Sequence, residues 1–594
     1  MVLNIWDWAI IISFFLFSLA IGVYAAKFSG RNVSEFFLSG RNMPWWLLGV
    51  SMVATTFSTD TPNLVTDIVR QNGVAGNWAW WAFLLTGMLT VFIYARLWRR
   101  SNVLTDLEFY ELRYSGRLAS FLRGFRSIYL GAFFNIFVIA MVSLALIKIG
   151  AVMLNWHPVQ TLLIASVITV IYSALGGLRG ILLTDFFQFI LAMIGSIGAA
   201  IILLQRPEIG GLSSLLQSEQ VFPKLNILPD FNNTQELISL LIVPLAIQWW
   251  SVWYPGAEPG GGGYIAQRML AARSEKGATA ATLLFNTAHY ALRPWPWILV
   301  ALASLIIFPD LNALQHAFPD IDPAIIKHDL AYPAMLTLLP NGFLGLVVAS
   351  LIAAYMSTVS TQLNWGSSYI VHDFYHRFID PDAGEKKLVM IGRITTVCLM
   401  VFSALLALAM QNALQVFQIL LQVGAGTGLI YILRWFWWRI NAASEITAMI
   451  VSFMIALYFE FVHPLTGLPV PADHVKLILG VAVTTFAWIL VTLFSKPTSP
   501  RTLQQFYRLV HPGGPGWRRV AAELKSNGVT VSEKSNLPAG IVSMTLGCLA
   551  VYSALFAIGY WIYGKIELTL LLTVLVIATT YALLKLWQPL HKNG

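Results

Sequence analysis

A chain of 594 residues that is 57% hydrophobic and only 11% charged, with a mean hydropathy of +0.70, cannot be a soluble globular protein; soluble domains carry roughly 25% charged residues. The net charge of +9 does not point to nucleic acid, because the basic residues concentrate in alternate loops between apolar segments, the positive-inside pattern of a polytopic membrane protein. The two cysteines, Cys398 and Cys548, lie inside apolar spans and supply neither a disulfide framework nor metal-site spacing.

A span needs about twenty mainly apolar residues. That criterion predicts about fifteen, at 8–26, 45–69, 77–97, 127–152, 158–176, 181–204, 237–254, 279–308, 341–371, 388–411, 413–439, 443–461, 475–495, 540–563 and 566–587. The first is preceded by Asp7 rather than a basic region and followed by no cleavage site, so it reads as a retained span. The basic loops all follow odd-numbered spans: Lys27/Arg31/Arg41, Arg99–Arg126, Arg179, Arg268/Arg273/Lys276, Arg377/Lys386/Lys387, Arg434/Arg439 and Arg501–Lys534. Placing them inside puts the N-terminus outside a plasma (inner) membrane. The C-terminus then falls on the cytoplasmic side if Gly564 and Lys565 turn the chain between the last two spans.

Span two, VSMVATTFSTDTPNLVTDIV, carries hydroxyls, Asp60, Pro62 and Asp67 in its middle and second half. Pro62 predicts a break, because it lacks an N–H and disfavours helix at the preceding residue. A carboxylate near the centre of a span costs about 2.5–3.5 kcal/mol on insertion scales, which makes it a functional candidate; Asp67 could equally reach water at the outer end. Span six opens ALGGLRGILLTDFFQF, with Asp185 one turn into the membrane. It reads either as a charge at a helix start or as a cation station. Span seven, LLIVPLAIQWWSVWYPG, contains Pro244 and runs into EPGGGGYIAQR, whose glycines lack the GK[ST] of a phosphate loop. Interrupted spans at matching positions of two halves point to a transporter's central site. Of the tryptophan-rich patches, only Trp249, Trp250 and Trp253, beside this second break, are candidates to meet a substrate.

The loop 309–340, with Asp310, Asp320, Asp322 and Asp329, is expected outside with a short helix. Span nine contains AAYMSTVSTQLN, where Ser357, Thr358, Ser360 and Thr361 cover two faces of one turn. Small polar residues serve close helix packing; clustered oxygens also suit a hard cation. The segment 496–538 is expected to be cytoplasmic, as one or two amphipathic interfacial helices broken at HPGGPG. No catalytic dyad or metalloprotease motif appears, and His289, His372 and His376 read as interfacial or packing residues, so the chain is not expected to be an enzyme.

EFFLSGRNMPWWLLGVSM, SALGGLRGILLTDFFQF, YIAQRMLAARSEKGA, AAYMSTVSTQLN and LLQVGAGTGLIYILRWFWWRINAASE follow one another between Ser34 and Glu445. Together they resemble the sodium:solute symporter family of sodium–glucose, sodium–proline and sodium–sialate cotransporters. The resemblance implies an all-α polytopic protein with a LeuT-type 5+5 inverted-repeat core, its repeats at 45–204 and 237–439, flanking helices on both sides and C-terminal helices at 540–587. It implies Na⁺ as coupling ion, held by the carbonyls of Ala54, Phe57 and Ala354 and the hydroxyls of Ser357 and Thr358. It implies a second sodium, or a sodium exit station, at Asp185, Ser357, Ser360 and Thr361. Sugar transporters of the family carry a Glu-Gln pair where this chain has Asp60-Thr61. Those two residues, with Trp249, Trp250 and Trp253, are the substrate and gate candidates. The expected partners are a small polar organic solute (sugar, polyol, carboxylate or amino acid), sodium and the bilayer, with no nucleic acid. The alternatives are proton coupling, with Asp60 and Asp185 titrating, and a transporter-fold sensor, for which the cytoplasmic segment is too short to be a signalling domain.

Overall fold

A computed structural model describes residues 3–252, 258–321, 323–410, 426–529 and 536–591. Among them there is no strand, only an isolated bridge between Met43 and Ala272. A helix is what a chain this apolar must form, since hydrocarbon offers no partner for an unpaired backbone N–H or C=O. Eleven helices of the described residues are long and apolar enough to cross a membrane. The all-helical polytopic class therefore holds, and the difference from about fifteen lies in two interrupted spans, one fused pair and span eleven, much of which is outside the described residues.

One of the eleven, Pro158–Leu204, runs for 47 residues. At 1.5 Å per residue that is roughly 70 Å, against a hydrocarbon core of about 30 Å. It is two expected spans joined without a loop. Gly177, at φ 53° and ψ −160°, breaks it. No other residue fits there, because a Cβ on Gly177 would lie 2.8 Å from the Phe36 carbonyl oxygen and in a backbone region side chains avoid.

Span two is split, as its polar residues predict, but upstream of the expected point. The helix Trp45–Thr56 ends, residues 57–59 are non-helical, and a second helix starts at Asp60 and runs to Asn72. Pro62 sits in the first turn of that second helix, where an N–H would be unpaired anyway. Span seven is helical over Thr234–Ala246, turns through Gln248–Trp250, and regains helix at Gly263–Ala271 after positive φ at Gly260 and Gly261. Trp253 lies outside the described residues, as does much of span eleven.

The helix Phe343–Ile379 is the hub, 83% buried over its most apolar stretch, whereas Ile566–Gln588 is 11% buried and presents a lipid face. The turn expected at Gly564 and Lys565 is present, with Gly564 at φ 71° and the Lys565 N–H donating to Tyr560 O at 2.8 Å. The outer loop contains the helix Leu311–Ala317. The segment after span thirteen forms two helices, Pro500–Val510 and Arg518–Ser526, interrupted at HPGGPG. Their apolar faces do not lie on lipid as expected. Leu503, Phe506, Trp517, Val520 and Leu524 pack into one cluster with Trp98, Phe109 and Trp435, and Arg113 caps it over the Phe506 and Trp517 rings at 5.4 and 4.8 Å.

Candidate ion and substrate site

The break in span two leaves the last carbonyls of the Trp45–Thr56 helix without the N–H partners of a following turn. Some are recaptured locally: the Phe57 N–H donates to Val53 O and Ala54 O, both at 3.0 Å. The Thr55 carbonyl is met from across the protein, where the Thr358 hydroxyl donates to it at 2.8 Å while also reaching Ala354 O at 3.2 Å. The Thr55 and Thr361 hydroxyls lie 3.0 Å apart. Ala54, Phe57, Ala354, Ser357 and Thr358 are all buried. The structure thus sets the hydroxyl-rich turn of the hub helix against the carbonyl end of a half-helix, which carries the negative pole of its dipole.

Asp185, fully buried on the Pro158–Leu204 helix, packs against the same turn. It accepts from Ser357 Oγ at 2.7 Å and from Ser51 Oγ, and Arg268 stands 3.9 Å away. Arg268 donates onward to Thr361 Oγ1 at 2.7 Å and to Gln267 Oε1 at 2.7 Å. Of the second-site residues, Asp185 and Ser357 are directly bonded, Thr361 joins through Arg268, and Ser360 gives its hydroxyl to Ser357 O at 3.1 Å. Arg268 is therefore not one of the loop charges. It is fully buried on the Gly263–Ala271 helix, which re-enters the protein.

Beside the break is a cavity of about 250 Å³ whose wall includes Asp60, Thr61, Trp80, Asn286, Tyr290 and Arg293. The two predicted substrate residues of span two are there. Trp249 and Trp250 do not line it: the turn at Gln248–Trp250 aims Gln248 at the cavity, its amide donating to Ala79 O at 2.8 Å. Trp249 instead packs against a separate core cluster. The aromatic wall is built by Trp80 and Tyr290, stacked at 5.9 Å. His289 is no mere packing residue; it lines the cavity and its Nδ1 lies 3.0 Å from Thr56 Oγ1. Arg293, which the span pattern hides, donates to the same hydroxyl at 3.0 Å. Four wall residues each hold a buried polar atom with no protein partner: Asp60 Oδ1, Thr86 Oγ1, Asn286 Oδ1 and Arg293 Nε. In a folded protein such atoms are ordinarily met by water, an ion or a ligand.

The model of the sodium:solute symporter family matches residues 36–452. The chain belongs to that family. The symporter is 26% identical to a sodium/glucose cotransporter of Vibrio parahaemolyticus, over 73% of its own length and 81% of the relative's. It is 25% identical to a sodium/mannose cotransporter of Bos taurus, over 83% and 85%, and 25% identical to sodium/myo-inositol cotransporter 2 of Mus musculus, over 82% and 74%. Its fold matches that of a Na⁺-coupled sialic acid symporter in a substrate-bound outward-open state with a TM-score of 0.66 at 21% identity, covering 84% of this chain and 99% of the other. The symporter therefore has the LeuT-type fold, and is a sodium-coupled membrane transporter rather than an enzyme.

Proposed function

We propose that the symporter brings one small polar organic solute into the cell with sodium, by alternating access of the cavity beside the broken span. Sodium sits between the carbonyls of Ala54, Phe57 and Ala354 and the hydroxyls of Ser357 and Thr358. The observation that carries this is the Thr358 hydroxyl reaching the Thr55 carbonyl at 2.8 Å, which holds two oxygen-rich segments together at a half-helix end, where transporters of this type hold Na⁺. A second sodium passes or rests at Asp185, Ser357, Ser360 and Thr361, in competition with the Arg268 guanidinium. The repeats at 45–204 and 237–439 rock against each other, with the N-terminus outside and the C-terminus in the cytoplasm. The solute is a hydroxylated compound, in keeping with the unpartnered atoms of the cavity wall and with the glucose, mannose and myo-inositol of the relatives' names.

Proteoliposomes loaded with potassium and diluted into sodium test this directly. Uptake of sugars, polyols, carboxylates and amino acids would be followed by mass spectrometry of the vesicle contents. Accumulation of a solute only with external sodium, lost in Thr358→Ala, is the expected result. Uptake indifferent to sodium, or a Thr358→Ala protein with unchanged sodium dependence, overturns the site.

A further inference from the structure

We propose that the transported solute carries a carboxylate and that Arg293 binds it, so that the symporter takes up a hydroxylated acid of the uronate or aldonate kind. This rests on the reading of the cavity as the solute site. Arg293 is 1% exposed and lines that cavity, yet among the described residues no carboxylate lies within 4.0 Å of its nitrogens. The other buried arginines near the site differ. Arg126 and Arg434 share Glu258, and Arg268 faces Asp185. Arg70 and Arg113 lack a carboxylate but are held by backbone carbonyls, Arg70 at Ser304 and Phe308 and Arg113 at Arg434 and Trp437.

Arg293 hydrogen-bonds only neutral acceptors and lies over the Trp297 and Phe57 rings at 5.0 and 5.9 Å, while the Asp60 carboxylate acts on it through space without touching it. Its NH1 group reaches Thr56 Oγ1 at 3.0 Å and Val53 O at 3.5 Å, and its NH2 group reaches His289 Nε2 at 3.4 Å. The Thr56 hydroxyl donates its one hydrogen to Val53 O at 2.8 Å. His289 Nδ1, 3.0 Å from that hydroxyl, must therefore carry the ring proton, which leaves Nε2 as the acceptor for Arg293. That places the hydrogens of the Thr56 hydroxyl and the His289 ring and keeps the imidazole neutral. Nε of the guanidinium has no partner. A buried cation whose direct partners are all neutral is costly, and an arriving carboxylate completes it.

The remaining wall fits the rest of such a solute. Asp60 Oδ1 and Asn286 Oδ1 are unpartnered acceptors suited to hydroxyl groups, and Trp80 and Tyr290 offer ring faces. Arg293 also touches Thr56 and Val53, in the last turn of the half-helix whose neighbouring carbonyls, Ala54 and Phe57, are the proposed sodium ligands. A guanidinium there, which Asp60 offsets only from a distance, repels sodium. A carboxylate neutralises it, so each ligand raises the affinity for the other.

The test compares D-glucuronate with D-glucuronamide, which has the same shape without the charge, alongside D-gluconate, D-glucose, D-mannose and myo-inositol. Binding to the purified full-length protein would be read by tryptophan fluorescence in sodium and in potassium, and uptake by mass spectrometry in proteoliposomes. Uptake rather than current is the readout, because one sodium with one monoanion moves no net charge. The expected result is sodium-dependent binding of the acids, roughly 50-fold weaker for the amide and in Arg293→Gln, as loss of a charge-assisted pair implies. Arg293→Lys should keep part of it. If Arg293→Gln does not fold, the acid–amide pair still decides. Equal binding of acid and amide, or sodium-driven uptake of the neutral sugars alone, overturns the carboxylate while leaving symport intact. No sodium-dependent binding of any of these compounds overturns both readings.

Discussion

Ser357 Oγ donates to Asp185 Oδ1 at 2.7 Å, and Arg268 stands on the carboxylate's other side at 3.9 Å. The turn proposed to offer oxygens to sodium is thereby tied to a buried ion pair. Removing one partner of such a pair leaves an uncompensated charge, at a cost of about 3–5 kcal/mol. Asp185→Asn is therefore expected to lower the melting temperature clearly, and the double change Asp185→Asn/Arg268→Gln to recover most of the loss. If Asp185 also handles a second sodium, the double variant will regain stability but show a shallower dependence of uptake on sodium concentration. A single variant as stable as the parent would mean that the pair contributes little and that Asp185 is free for a cation alone.

Gly87 packs directly against Asn286 on the cavity wall, and a Cβ there would run into Asn286 Oδ1. That atom is the end of a side chain, so it can move, and its displacement shifts an acceptor on the wall of the proposed solute site. Gly87→Ala is expected to melt within a few degrees of the parent while raising the solute KM about ten-fold, the loss of one well-placed acceptor. An unchanged KM would place the solute elsewhere in the cavity.

Much of this architecture is legible in the sequence alone. Hydroxyls and prolines inside apolar runs mark both interrupted spans, and carboxylates the first, because such residues persist in hydrocarbon only where something compensates them. The hydroxyl cluster at Ser357–Thr361 stands out for the same reason. The arginines are harder. Arg268 reads as a loop charge because a nine-residue helix that folds back into the protein, Gly263–Ala271, leaves no hydropathic trace. Arg293 carries a visible signal, a guanidinium inside the apolar run 279–308, which the habit of basic residues to sit at interfaces obscures. The aromatic wall is misplaced by sequence because the orientation of a non-helical turn such as Gln248–Trp250 has no period to read.

Asp106 lies between spans, accepts from the Gly263 N–H at 2.9 Å and is bonded by the Tyr369 hydroxyl. Burial first, and the nearby Glu258 charge second, push its carboxyl up from 3.8 to about 7. The unfolded chain loses that proton near the ordinary value, while the native protein keeps it until about 7, so across this window the native state binds more protons. Stability from this group therefore falls as pH rises from about 4 to about 7 and is level above. Melting temperatures taken between pH 5 and 8 should decline more steeply for the parent than for Asp106→Asn. Parallel curves would show that the carboxyl is ionised throughout.

Glu258 accepts from Arg126 and, at 3.0 Å, from Arg434, and Arg434 reaches on to Glu445 at 3.4 Å. Arg126 belongs to the first proposed repeat and Arg434 to the second, while Glu258 itself lines the cavity. One carboxylate thus fastens residues of the two proposed repeats at one end of the cavity. The whole set is buried, so its electrostatics are little screened, and replacing the carboxylate leaves two guanidinium groups to repel each other. Glu258→Gln is expected to lower the melting temperature and to loosen this end. In a background with Cys398 and Cys548 replaced by serine, a cysteine introduced at Ile265 on the cavity wall should react with a membrane-impermeant maleimide at least about five times faster when Glu258→Gln is present, as even about 1 kcal/mol off the closed state would give. The same labelling rate in both proteins would mean that Glu258 holds the fold together at this point without gating the path.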